Sequence, residues 1–168
     1  MKIQLRITLP PDVRGSVDAL RLRWNPERAR GNPAHLTLVY HDEAPDVALL
    51  VERVREVASE VEPFPLTVGR AMRFPEPIRG AFLSVADPTD TVRAIRARLL
   101  TPPFTQRSHY GLHVTLLHPD QGERLESAWP EIERLPPVGS FLITDLDMVG
   151  PNNETLLNVP LVLNAKRR

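Results

Sequence analysis

The chain has 168 residues, of which 42% are apolar, 25% are charged and 18 are proline, a composition suited to a compact globular protein with many turns and not to a filament, a disordered tail or a membrane span. Its 21 basic and 21 acidic residues cancel, so no global field draws it to nucleic acid or to an anionic membrane, and any phosphate recognition must be local. The absence of cysteine excludes disulfides, thiolate nucleophiles, zinc ribbons and iron–sulfur ligation.

One domain of ordinary size, or two small fused lobes, fits this length. No apolar run approaches the roughly 20 residues of a membrane span, and the first residues lack the basic patch and apolar core of a secretory signal. A cytoplasmic protein without membrane association is therefore expected, acting as a monomer.

Residues 3–9 alternate Ile3, Leu5, Ile7 and Leu9 with Gln4, Arg6 and Thr8, the period-two pattern of a half-buried strand, stopped by Pro10 and Pro11. Val17, Leu20 and Trp24 recur at helical spacing after Ser16, a candidate N-cap, until Asn25 and Pro26. Residues 34–41 read as a second strand with Leu36, Leu38 and Tyr40 on one face and His35, Thr37, Val39 and His41 on the other. An amphipathic helix follows from Val47 through Val61, ending near Pro63. Residues 64–72 and 81–85 read as strands. Asp87 as N-cap, with Pro88 at the first helical position, predicts a helix through Leu99. Residues 110–118 read as a strand and 122–134 as a helix with a break at Pro130. Residues 141–149 and 155–163 read as the last two strands.

The order of elements repeats. An ungapped offset of 78 residues carries His35 onto His113, Thr37 onto Thr115 and Leu38 onto Leu116, and it also aligns Pro10 with Pro88, Val17 with Ile95 and Val68 with Leu146. Two similar lobes are implied, residues 1–79 and 80–168. Neither is large enough to bury a full core alone, so they are expected to pack about a pseudo-twofold axis.

At the same point of each repeat stands His-x-Thr-x: His35-Leu36-Thr37-Leu38 and His113-Val114-Thr115-Leu116. Residues i and i+2 of a strand project together, so each histidine points the same way as its threonine. Twofold packing would then bring two imidazoles and two hydroxyls into one cleft. Imidazole, with an ordinary pKa of about 6.5, serves as acid or base near neutral pH. Two of them can hold opposite roles across a phosphorus atom while hydroxyls donate to the non-bridging oxygens. No metal or other cofactor is needed for that chemistry. One His-x-Thr alone is weak evidence; two in register with a duplicated lobe are much stronger.

These paired motifs resemble the 2H phosphoesterase superfamily, and in particular its branch of 2′,5′ RNA ligase-like proteins, or RNA 2′,3′-cyclic phosphodiesterases. The resemblance spans nearly the whole chain. It implies an α+β, bilobal pseudo-twofold fold with antiparallel sheets lining a central cleft and helices outside. It also implies catalytic His35 and His113, with His113 as base and His35 as acid, and phosphate-holding Thr37 and Thr115. The aromatic residue usual five positions after the first motif histidine is matched by Tyr40, a candidate substrate contact. The arginine common five positions after the second is replaced by His118, a weaker phosphate grip, and the proline usual before the second histidine is replaced by Leu112.

The implied activity is metal-independent hydrolysis of a 2′,3′-cyclic phosphate, on an RNA end or a small nucleotide, to a 2′-phosphate. The reverse reaction, ATP-independent 2′,5′ ligation, is its in vitro counterpart. A small cyclic phosphodiester such as ADP-ribose cyclic phosphate is the alternative substrate, toward which neutral charge and His118 lean. A non-catalytic nucleotide- or RNA-binding module is the alternative of another class. There is no Walker loop, Rossmann fingerprint or HExxH motif.

Other residues stand near the motifs in sequence. His41 reads as a solvated strand end with the cleft border as its alternative, His109 and Arg107 equally as a surface loop or a loop that closes over a nucleotide, and Phe64, Phe74 and Phe82 as core with base stacking as the alternative. Arg6 and Thr8 lie opposite the apolar side of the first strand, and the sequence leaves open whether that side faces the cleft.

Overall fold

A computed structural model describes residues 2–162 of the chain. Its strands are β1 (Gln4–Thr8), β2 (His35–Val39), β3 (Phe64–Arg73), β4 (Ala81–Ala86), β5 (His113–Leu117), β6 (Gly139–Ile143), β7 (Asp145–Val149) and β8 (Thr155–Pro160). Its helices are α1 (Pro11–Trp24), α2 (Pro26–Ala29), α3 (Val47–Ala58), α4 (Thr91–Leu99) and α5 (Leu125–Ile132), the last preceded by a 3-10 turn (Pro119–Arg124). All eight strands join one curled antiparallel sheet in the order β6-β3-β4-β5-β2-β1-β7-β8. The fold is therefore α+β, with one continuous sheet where separate sheets were expected. Among the described residues, no helix is long and apolar enough to cross a membrane.

The duplicated pattern is visible in this order, because β1, β2 and β7 correspond to β4, β5 and β3 under the 78-residue offset. The third strands are exchanged. β3, from the first half of the chain, pairs with β4 and β6, whereas β7, from the second half, pairs with β1 and β8. The boundary expected near Arg79 and Gly80 falls in the β3–β4 connection.

Helices are exchanged as well. One core gathers α3 and α4 with Leu5, Ile7, Leu36 and Leu38, and the other gathers Val17 and Leu20 of α1 with α5, Leu83, Val114 and Leu116. The first helix of each repeat thus covers the other repeat's motif strand, as the α1–β5 and α4–β2 contacts confirm. Each core is built from both halves of the chain, which supplies the apolar area that neither half has alone.

Several element boundaries differ from the sequence reading. α1 begins at Pro11, not after Ser16, because proline is well suited to a first helical turn where its missing N–H is not needed. α4 begins at Thr91, behind a turn in which Asp87 accepts hydrogen bonds from the N–H groups of Thr89 and Val92. Asp87 still satisfies the helix start, from farther away. Pro130 lies inside α5 without breaking it, and the helix ends two residues later. The strand expected over 141–149 is two strands, split at Thr144 and sent to opposite ends of the sheet order. No glycine or proline marks the break, and the buried face changes phase instead, from Ile143 to Leu146 and Met148 across the polar pair Thr144-Asp145. β8 ends at Pro160, and the end expected at Leu163 lies outside the described residues.

Candidate active site

β2 and β5 meet at the centre of the sheet through the single register pair Leu36 and Val114. Antiparallel pairing about that point sets His35 opposite Thr115 and Thr37 opposite His113, so the two histidines lie on one diagonal and the two threonines on the other. Leu36, Leu38, Val114 and Leu116 are buried beneath, which fixes the face that the histidines and threonines present. That face opens into a cleft of about 610 Å³ lined by His35, Thr37, His113 and Thr115, and also by Tyr40 and His118. All six residues singled out from the sequence line the same cavity.

The two histidines are held in the same way. Nδ1 of His35 donates to the Pro33 carbonyl at 2.8 Å, and Nδ1 of His113 donates to the Gly111 carbonyl at 2.8 Å. A carbonyl only accepts, so each Nδ1 carries a hydrogen and each neutral ring keeps its lone pair on Nε2. Neither threonine hydroxyl is engaged by another described residue, which leaves both available to donate. The Thr37 carbonyl accepts from the Tyr110 hydroxyl at 2.9 Å.

The surroundings of the two rings differ. His35 is pushed down to about 3, first by burial and then by the Arg6 guanidinium, against the opposing pull of its bond to Pro33. It is neutral in the free protein at pH 7. His113 instead packs edge-on against Phe74 and Phe82, with centroids 5.5 and 5.8 Å away. Phe74 lines the cleft and Phe82 is half-buried beside His113, so neither is the core residue expected, whereas Phe64 is core.

His118 accepts the Asp120 N–H on Nδ1 at 3.2 Å, capping the 3-10 turn. With Nδ1 accepting, the ring hydrogen sits on Nε2, and burial, followed by nearby Arg28, lowers its pKa. Tyr40 is half-buried, with the Arg107 guanidinium 3.8 Å over its ring. Arg107 is paired with Asp42 at 2.8 Å and lines the cleft, as does His41, against the expectation of a solvated strand end.

The structure settles the side that Arg6 faces and adds contacts that lay beyond the sequence reading. Arg6 faces the cleft directly across from Thr37 in the β1–β2 register. Its partners Gln4, Asn32 and Asn153 come from three separate segments. The buried pair of Arg96 and Glu43, at 2.7 Å, anchors the loop after β2, where Glu43 also accepts the N–H groups of Tyr40 and Arg107. Arg96 further donates to the Leu38 carbonyl and lies 3.5 Å over the Tyr110 ring. The only available signal was the polar face of β1, which placed Arg6 and Thr8 together.

Among the described residues, no three His, Cys, Asp or Glu side chains converge as a metal site would require. A family model described as the 2′-5′ RNA ligase superfamily matches residues 9–154. A protein of Oceanobacillus iheyensis named as a candidate phosphoesterase, OB1230, is 28% identical over 120 residues, covering 69% of each chain. Among solved structures, TT0787 of Thermus thermophilus superposes with a TM-score of 0.61 at 18% identity, covering 96% of this chain and 98% of its own. Escherichia coli LigT complexed with 3′-AMP superposes with a TM-score of 0.60 at 17% identity, with the same coverage.

Proposed function

The chain belongs to the 2′-5′ RNA ligase superfamily of 2H phosphoesterases and is a phosphodiesterase by class, and from that premise we propose that it opens 2′,3′-cyclic phosphates by two-histidine acid–base catalysis without a metal. One observation carries the reading: two imidazoles, each tied through Nδ1 to the carbonyl two residues before it, line one cleft with their Nε2 atoms unclaimed. Water attacks phosphorus, one histidine takes its proton, and the P–O3′ bond breaks as the other histidine protonates the departing ribose oxygen. The product is a 2′-phosphate. Thr37 and Thr115 donate to the non-bridging oxygens, where charge concentrates.

The resemblance assigned the base to His113 and the acid to His35. Burial and the Arg6 guanidinium oppose protonation of His35 in the free protein, and the negative charge of a bound phosphate offsets that opposition. The same steps with a 5′-hydroxyl in place of water as the nucleophile give ATP-independent 2′,5′ ligation.

A small substrate, such as a cyclic nucleotide or ADP-ribose cyclic phosphate, is favoured over a long RNA by a second observation. The cleft is of nucleotide size, and Arg28 and Arg107 in its lining are paired with Asp120 and Asp42, which limits the charge they offer to a long phosphate backbone. LigT has been solved with 3′-AMP, NADP+ and ATP, which are ligands of that size. The test is turnover of cyclic nucleotides and of oligonucleotides ending in a cyclic phosphate, across pH and in EDTA. A bell-shaped profile that survives chelation is expected. Phosphate-end binding without turnover would leave the non-catalytic module instead.

A further inference from the structure

The Arg6 side chain is 8% exposed, yet no carboxylate binds it. Its Nε and Nη2 donate to Gln4 Oε1 at 2.9 and 2.7 Å, Nη1 to Asn32 Oδ1 at 2.9 Å, and Nη2 to Asn153 Oδ1 at 3.2 Å. All three acceptors are neutral amides. Four of the five N–H bonds of the fork are used, and the remaining one, on Nη1, has no partner among the described residues. The other buried arginines differ, since Arg21 is paired with Asp18 and Arg96 with Glu43. Asp147, opposite Arg6 on β7, is taken up by the Thr8 hydroxyl at 2.6 Å and the Asn158 amide at 2.8 Å.

The collar is built and not incidental. Asn32 Nδ2 donates to the Arg28 carbonyl at 2.8 Å, which obliges its Oδ1 to face Arg6, and it follows Gly31, whose left-handed φ of +67° needs glycine's freedom. Asn153 itself is left-handed, at φ 64°, in the β7–β8 turn. Neutral oxygens hold the guanidinium in place without neutralising it. Burial and the neighbouring Arg21, partly offset by Asp147, accordingly pull the Arg6 pKa down to about 10. A cation buried without a counter-charge is costly, and a bound anion would remove that cost.

We propose that Arg6, held by Gln4, Asn32 and Asn153 across from Thr37, is the anion-binding residue of the cleft and takes a non-bridging oxygen of the reacting phosphate beside His35. It supplies from β1 the charge that His118 does not supply from the other side. The ligand class is a phosphate or phosphodiester anion. This assignment rests on the proposed phosphodiesterase reading for its role in turnover, but not for its role in binding.

The experiment compares the wild type with Arg6→Gln and Arg6→Lys, each first shown to be folded by circular dichroism and thermal melting. Inorganic phosphate is titrated by calorimetry, and turnover is measured on a cyclic nucleotide with and without a 5′-phosphate. In Arg6→Gln, phosphate affinity is expected to fall and KM to rise by about 10- to 100-fold, equally for both substrates, while Arg6→Lys recovers part of the loss. Because Arg6, Arg21 and His113 are the cations and titratable group acting on His35, removing the Arg6 charge also moves the His35 limb of the pH profile upward. Unchanged phosphate affinity in folded Arg6→Gln, no phosphate binding by the wild type, or a loss confined to the 5′-phosphorylated substrate would each overturn the assignment. A wild type that binds phosphate through Arg6 but turns over no cyclic phosphate upholds it and refutes the proposed activity.

Discussion

His35 and His113 occupy the same backbone and different walls. Both rings donate from Nδ1 to the carbonyl two residues earlier, and both are followed by a buried aliphatic residue and a cleft-facing threonine. The neighbouring positions diverge. Where the first half places Gln4 and Arg6 on β1, the second places Phe82 and Ser84 at the equivalent positions of β4, and Tyr40 is matched by His118. One imidazole therefore sits beside an uncompensated cation and the other against aromatic rings. The repeated backbone sets where the two rings stand, and unrepeated side chains make them electrically unequal, which is what an acid and a base require.

Removing either ring tests the comparison most severely. His35→Ala and His113→Ala are each expected to lower kcat/KM by about 10²- to 10⁴-fold, and the double variant to lose little more, since the two act as a unit. Steady-state rates on a cyclic nucleotide decide this; near-normal turnover in either single variant would break the assignment of two roles.

The ion pair of Arg96 and Glu43 supports only the first half, because the position matching Glu43 is Gln121. Glu43→Ala leaves Arg96 buried without its partner and is expected to cost about 3–5 kcal/mol by urea denaturation. As Tyr40, Tyr110 and the Thr37 carbonyl hang on the same network, the surviving fold should lose activity as well. Thr37→Val and Thr115→Val probe the shared part of the site, and each is expected to reduce kcat/KM by about tenfold through loss of one donor to a charged oxygen. A large difference between them would mean that the hydroxyls, like the rings, have unequal roles.

The last effect is in stability against pH. His35 has a folded pKa of about 3, below its ordinary 6.5, so the unfolded chain binds the extra proton between those values and stability falls as pH drops through that window. In wild type minus His35→Gln, measured by denaturant titration from pH 7 to 4, the slope is expected to be at most about 1.4 kcal/mol per pH unit. The same comparison with Arg6→Gln should flatten it, because the cation that depresses the His35 pKa is gone.

Much of the site was legible because strand periodicity is a local property. His35 and Thr37 share a face, as do His113 and Thr115, once Leu36 and Val114 are assigned to the core. The offset of 78 residues then places both pairs at equivalent points. Arg6 was legible only as a polar-face residue, since no local pattern says which face of β1 meets the cleft. Asn32 and Asn153, 121 positions apart in the numbering and far from Arg6, carried no signal. Helix α1 started early because a proline read as a strand stop also opens a helix, and residues 141–149 concealed a change of partner because no glycine or proline marks the break at Thr144.

The amino-acid order by itself determined the duplication, the strand faces and the residue types that can move protons, because those follow from period, side-chain chemistry and spacing along one chain. Only the tertiary structure decided that third strands and first helices trade places between repeats, and that an unpaired guanidinium is set beside one histidine and two phenyl rings beside the other. Pairing across the sheet and packing over it are choices among distant segments, made by the whole buried surface at once, and no local window contains them.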